Sequence, residues 1–202
     1  MRSVYTKAVF FIMALATGVF LTTLVHAVWY APNSNDTDSG LAVATPPARH
    51  YNVSPEDYPS RLAIPKLQVD ASVQRVGIAK SGSVAVPNNY TDVAWYRNSS
   101  VPGQPGGALF DGHVDNGLSL AGVFKKLNTL SPGDDIYIET ESGQQLHYVV
   151  SRLEVYPYQE VPMQELLTET GPSTISLITC DGTWDQGKKT YDQRLVVYAK
   201  LD

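Results

Sequence analysis

Cysteine is almost absent: Cys180 is the only one in a chain of 202 residues. A lone thiol cannot close an internal disulfide, so no cross-linked framework supports the fold. Nor can it build a cysteine-rich zinc site. The four histidines (His26, His50, His113 and His147) lack ligand spacing such as His-x-x-x-His. No metal and no other cofactor is therefore expected. Positive charge is also scarce. Setting aside Arg2 and Lys7 leaves 13 basic residues against 20 acidic ones. Such a surface repels phosphate backbones, and no basic stripe with interleaved aromatics offsets it. Nucleic acid is excluded as a partner. No internal repeat is present.

Charge of either sign is missing from Ala8 to Tyr30, after a positively charged MRSVYTK start. A membrane-spanning helix takes ~20 apolar residues. The run fits that length, and Trp29 and Tyr30 stand where an interfacial aromatic belt belongs. The positive-inside tendency puts the N-terminus in the cytoplasm and the rest of the chain outside. Val25-His26-Ala27 loosely resembles a signal-peptide cleavage site. The run exceeds the ~7–15 residues of a signal h-region, so residues 1–30 read as an uncleaved anchor in the cell membrane.

Residues 31–58 are polar and rich in proline, without apolar periodicity, and read as a flexible linker containing His50. From residue 59 to 202 the pattern is that of one all-β domain with short helices. Hydrophobic residues, 43% of the chain, suffice for one core. Strands are expected at Arg61–Pro65, Ala71–Ile78, Thr91–Tyr96, Gly107–Phe110, Asp135–Thr140, Leu146–Tyr156, Thr174–Thr179 and Arg194–Leu201. Apolar positions 120, 123, 124, 127 and 130 predict a helix over Leu120–Leu130. Met163–Thr170 predicts a second, short one. Many short strands at this spacing point to a sandwich or barrel.

Three patterns carry chemistry. His113 follows an apolar strand in GALFDGHVDNG (residues 107–117). Cys180 sits where an apolar strand meets a glycine-containing loop in ISLITCDGTW (175–184). Arg194 opens the last strand in YDQRLVVYAKL (191–201). Singly, each has a bland reading. A lone cysteine is commonly a small buried hydrophobe, a histidine beside glycine a turn residue, and an arginine at a strand start a solvated charge. Asp111 and Asp115 read as loop residues, and His147 as a surface position. Together the three types make a set. A histidine can take a proton from a thiol and return one to a leaving amine. An arginine can stabilise the oxyanion of a tetrahedral intermediate. Such a set performs acyl transfer through a thioester.

The motifs Leu177-Ile178-Thr179-Cys180, Gly112-His113 upstream and Arg194 on the following strand resemble those of the sortase family. His113 precedes Cys180 by 67 residues, and Arg194 follows it by 14. GVFKKLNTLSPGDDIYIET is similar to the family's segment after the histidine. DGHVDNG and LITCDGTWD look most like class F sortases. The resemblance covers roughly residues 60–202. It implies an eight-stranded β-barrel in which Cys180 attacks the Thr–Gly bond of an LPxTG-like sorting signal. His113 would protonate the departing amine, Arg194 would hold the oxyanion, and Thr179 would touch the substrate. The thioester would pass to an amine acceptor, a cell-wall precursor or a pilin lysine.

Two alternatives stand beside this. Cell-wall L,D-transpeptidases place Ser-His-Gly before the cysteine, whereas Ile178-Thr179 stand here. A non-enzymatic, membrane-tethered β binding module would keep Cys180 buried and resistant to alkylation.

Overall fold

The computed structural model describes residues 2–29, Leu41, 53–116 and 118–202. Helix α1 runs from Arg2 to Trp29. Among the described residues no helix is long and apolar enough to cross a membrane, so the expected anchor is not shown. Most of the expected linker, His50 included, lies outside the described residues. Leu41, within it, is buried, and its carbonyl accepts a 3.1 Å bond from the Val84 amide.

Eight strands follow: β1 (Pro59–Ile64), β2 (Val69–Val76), β3 (Val93–Tyr96), β4 (Gly106–Asp111), β5 (Asp135–Thr140), β6 (Gln145–Pro157), β7 (Ser173–Asp185) and β8 (Thr190–Leu201). They close into a barrel in the order β1-β2-β3-β4-β7-β8-β6-β5. Pairing is antiparallel except between β2 and β3 and between β4 and β7. Closure leaves no open sheet edge. The eight-stranded barrel expected from the sequence is the fold observed.

Alternation decides which side chains enter the barrel. Leu62, Ile64, Phe110, Ile136, Ile138, Leu177 and Val197 meet inside. A second apolar cluster covers the opposite face of β4, β7 and β8, where Leu109, Ile178 and Val196 pack under Leu41, Val84 and Leu166. Leu166 belongs to α2 (Met163–Leu166). Strands β3 and β4 are buried along their whole length. They read as continuous apolar runs because both of their faces are covered.

Two expectations are corrected. Leu120–Leu130 is not a helix. Ala121 bridges to Asp115, turns follow, and only Leu127–Thr129 winds into a 3-10 turn. The amides of Gly122 and Phe124 bond to the carbonyls of Val114 and His113 instead of to helical partners. The apolar spacing is real, since Phe124, Leu127 and Leu130 all enter the barrel core. Tertiary pairing outweighs helical periodicity there. The strand bearing Cys180 does not stop at the thiol either. It runs on to Asp185, through a register shift between Asp181 and Trp184. Trp184 and Tyr191 pack edge to face across the extended hairpin, with centroids 5.4 Å apart.

Gly112 permits the tight approach of the histidine loop to the core. A Cβ there would lie 2.5 Å from Phe124 Cδ2 and 2.8 Å from Val123 Cγ1. Gly112→Ala is expected to destabilise the protein by about 1–3 kcal/mol, as overpacking does. A lower denaturant midpoint at unchanged slope checks it.

Candidate active site

Cys180 and Arg194 are directly opposed partners in the antiparallel β7–β8 ladder. Opposed residues share a face, with Cβ atoms about 4.5–5.5 Å apart. Their parity is that of Ile178 and Val196, so both lie on the outer face, away from the barrel interior. On the other side of β7, β4 runs parallel and pairs Asp111 with Ile178. The ties continue past the strand end. The Gly112 amide bonds to the Ile178 carbonyl at 3.1 Å, and Thr179 Oγ1 donates to the Gly112 carbonyl at 2.7 Å. His113 is the next residue. The structure thus brings the three sequence-predicted residues to one end of three adjacent strands.

Thr179 was expected to touch substrate. It is 2% exposed, and its hydroxyl is committed to Gly112. That hydroxyl joins the cysteine strand to the histidine loop.

Arg194 is 1% exposed, which departs from the solvated charge its position suggests. A buried guanidinium needs acceptors. Its Nη1 donates to the carbonyls of Tyr191 at 2.9 Å and Gln193 at 2.8 Å. Its Nη2 donates to Thr190 Oγ1 at 2.9 Å. The Tyr158 ring lies 5.6 Å from the guanidinium carbon.

His113 packs 5.0 Å from the Tyr90 ring, and its Nε2 lies 3.0 Å from the Pro87 carbonyl oxygen. A carbonyl only accepts, so Nε2 carries the proton. In the neutral ring Nδ1 is then the basic nitrogen. Burial pushes the imidazole below its usual range, opposed by the Pro87 bond and by Asp115.

Cys180 is partly exposed. Burial pushes its thiol up to about 11. Arg194 pulls it down, while Asp111, Asp115 and Asp181 push it further up. At neutral pH the resting site holds mainly a neutral thiol and a neutral imidazole.

Asp111 is not a loop residue. It ends β4 on the outer face and is 8% exposed. Burial raises its carboxyl to about 7, against the pull of Arg194. Its parity with Leu109 in GALFD was the one available signal. Asp115 and Tyr191 also sit at the site: the Tyr191 hydroxyl lies 2.9 Å from each carboxylate oxygen of Asp115. Nothing in the local sequence marks that pairing. His147 stands apart on β6, bonded to Asp135 at 2.8 Å. Among the described residues no cluster of three or more His, Cys, Asp or Glu could hold a metal ion.

Fold and chemistry together define a cysteine transpeptidase. The chain belongs to the sortase family, whose Sortase domain model matches residues 62–202. Sortase C-1 from Actinomyces oris is similar at 26% identity, over 70% of this chain and 72% of that one, with a TM-score of 0.50. Sortase A from Corynebacterium diphtheriae aligns at 20% identity, over 72% of this chain and 60% of its own length, with a TM-score of 0.55. Sortase A of Listeria monocytogenes aligns at 22%, over 70% and 85%, with a TM-score of 0.53. The last two establish likeness of fold. No curated protein sequence matches the chain.

The charge balance around the thiol yields a test. Replacing Asp111 by Asn removes a negative charge that opposes the thiolate. The midpoint of the pH profile for Cys180 alkylation is expected to move down. An unmoved or raised midpoint would show that the carboxyl does not act on the sulfur.

Proposed function

We propose that this sortase cleaves an LPxTG-like sorting signal on a secreted protein and transfers the freed acyl chain to an envelope amine. Cys180, His113 and Arg194 are its catalytic residues. The observation that carries the reading is the juxtaposition of Cys180 with buried Arg194 across β7–β8, with the His113 loop beside them.

The steps follow from that arrangement. His113 Nδ1 takes the thiol proton as Sγ attacks the threonine carbonyl carbon. Arg194 stabilises the resulting oxyanion where water is scarce. Collapse breaks the Thr–Gly C–N bond, and the imidazolium gives its proton to the departing glycine amine. An acceptor amine then attacks the thioester. Its proton returns through His113 to the sulfur, and a new amide is left. Because thiol and imidazole rest neutral, the reactive ion pair forms at a cost, and the charge of Arg194 lowers it.

The motifs DGHVDNG and LITCDGTWD favour class F within the family. The acceptor is a cell-wall precursor amine or a pilin lysine. Helix α1 serves as the anchor of a single-pass membrane protein whose catalytic domain lies outside the cytoplasm. The uncharged run from Ala8 to Tyr30 supports this, as do the exposed side chains of Phe10, Phe11, Ile12 and Phe20.

Mass spectrometry of the purified chain, mixed with sorting peptides and an amine, tests the reading. A thioester on Cys180 and an amide-linked product are expected. Arg194→Ala should lower kcat/KM by about 10²–10³-fold, the loss of one oxyanion donor. Cys180→Ala should form no product, and turnover in that variant would end the proposal.

A further inference from the structure

Tyr191 makes contact at both ends. Its hydroxyl has one proton and lies 2.9 Å from each oxygen of Asp115, a residue 76 positions away in sequence. Its main-chain carbonyl accepts from Arg194 Nη1 at 2.9 Å. The ring is held edge-on by Trp184, its cross-strand partner. Asp115 stands two residues beyond His113. It also receives Lys125 Nζ at 3.0 Å, and its backbone bridges to Ala121. The loop is closed on itself where Phe124 N meets His113 O and Gly122 N meets Val114 O. One side chain therefore spans from the arginine's carbonyl cradle to the loop that carries the histidine.

We infer that the Tyr191–Asp115 hydrogen bond is a positioning strut that sets the His113 loop against the Cys180–Arg194 hairpin. The charge of Cys180 also acts on the Tyr191 phenol, which places the strut beside the reacting sulfur. The barrel is closed by main-chain ladders elsewhere. The strut lies beyond the core, where β7 and β8 extend past the thiol. Its removal should spare the fold and misplace the base. A displacement of 1 Å in such a group can cost about 100-fold in rate. Asp115 has an electrostatic role as well. Its charge favours the imidazolium and, with Asp111 and Asp181, opposes the thiolate that Arg194 favours. Burial and Asp115 together raise the Tyr191 phenol to about 12, so it stays a donor across the working pH range.

The inference rests on the chemistry assigned to Cys180, and the experiment separates the two. Its primary readout is the pH–rate profile of Cys180 alkylation by iodoacetamide, which needs no peptide. Tyr191→Phe keeps the ring and the Asp115 charge but loses the bond. Its alkylation rate near pH 7 is expected to fall about fivefold or more, towards that of His113→Ala, with melting changed by only a few degrees. Asp115→Asn keeps an oxygen that can accept from the phenol. It should retain most of the rate while its thiol midpoint moves down. With an LPxTG-type peptide, Tyr191→Phe should lose kcat and leave KM within about twofold. A wild-type alkylation profile in Tyr191→Phe overturns the strut. If Tyr191→Phe melts early, the double-mutant cycle with Asp115→Ala decides, since coupled rate losses support the strut and additive ones overturn it. Turnover surviving in Cys180→Ala would sink the assigned chemistry. An inactive Cys180→Ala beside a fully active Tyr191→Phe would sink the strut alone.

Discussion

A guanidinium taken out of water must be surrounded by oxygen atoms, and the rest of the site is arranged around meeting that demand for Arg194. Among its acceptors are two carbonyls and one hydroxyl from its own strand, within four residues of it. They hold the cation in the β8 segment directly opposed to Cys180. Burial alone would make the thiol a poorer acid, and three aspartates push the same way. The charge of Arg194 pulls the other way and favours the ionised sulfur. A positive charge held at that place offsets part of what burial costs the thiolate.

The same surroundings bear on the protonation of three groups at the site. Desolvation dominates the titration of His113, Cys180 and Asp111 alike, and in each it favours the neutral form. Fixed dipoles and one permanent cation then act over short distances with little screening. The geometry that makes this workable comes from main-chain pairing. The parallel β4–β7 ladder delivers the histidine loop, the antiparallel β7–β8 ladder delivers the arginine, and the cysteine strand lies between them.

Much of this was legible in the amino-acid sequence. Asp135–Thr140 alternates in sequence and is β5 in the structure. Gly107–Phe110 is apolar without a break because both faces of β4 are covered. His113, Cys180 and Arg194 announced themselves by residue type and spacing. Other features depend on contacts between distant segments. The 120–130 segment carries helical spacing, yet its Gly122 and Phe124 amides are taken by the histidine loop. Strands β7 and β8 extend beyond their apolar stretches because Trp184 and Tyr191 pair across the hairpin, which a period-two pattern does not reveal. Asp111 and Asp115 look like turn residues in DGHVD. Their environment is set by β7 and β8, more than sixty residues further on.

Strands β7 and β8 follow the other six along the chain, yet they sit between β4 and β6 in the barrel. Without them β4 keeps only β3 and β6 only β5 as partners, and the wall stays open. Cys180 and Arg194 lie opposite each other in that hairpin, so a barrel that lacks β8 has neither a closed wall nor a guanidinium beside the thiol. Closing the wall and bringing the cation to the sulfur are thereby one and the same pairing event.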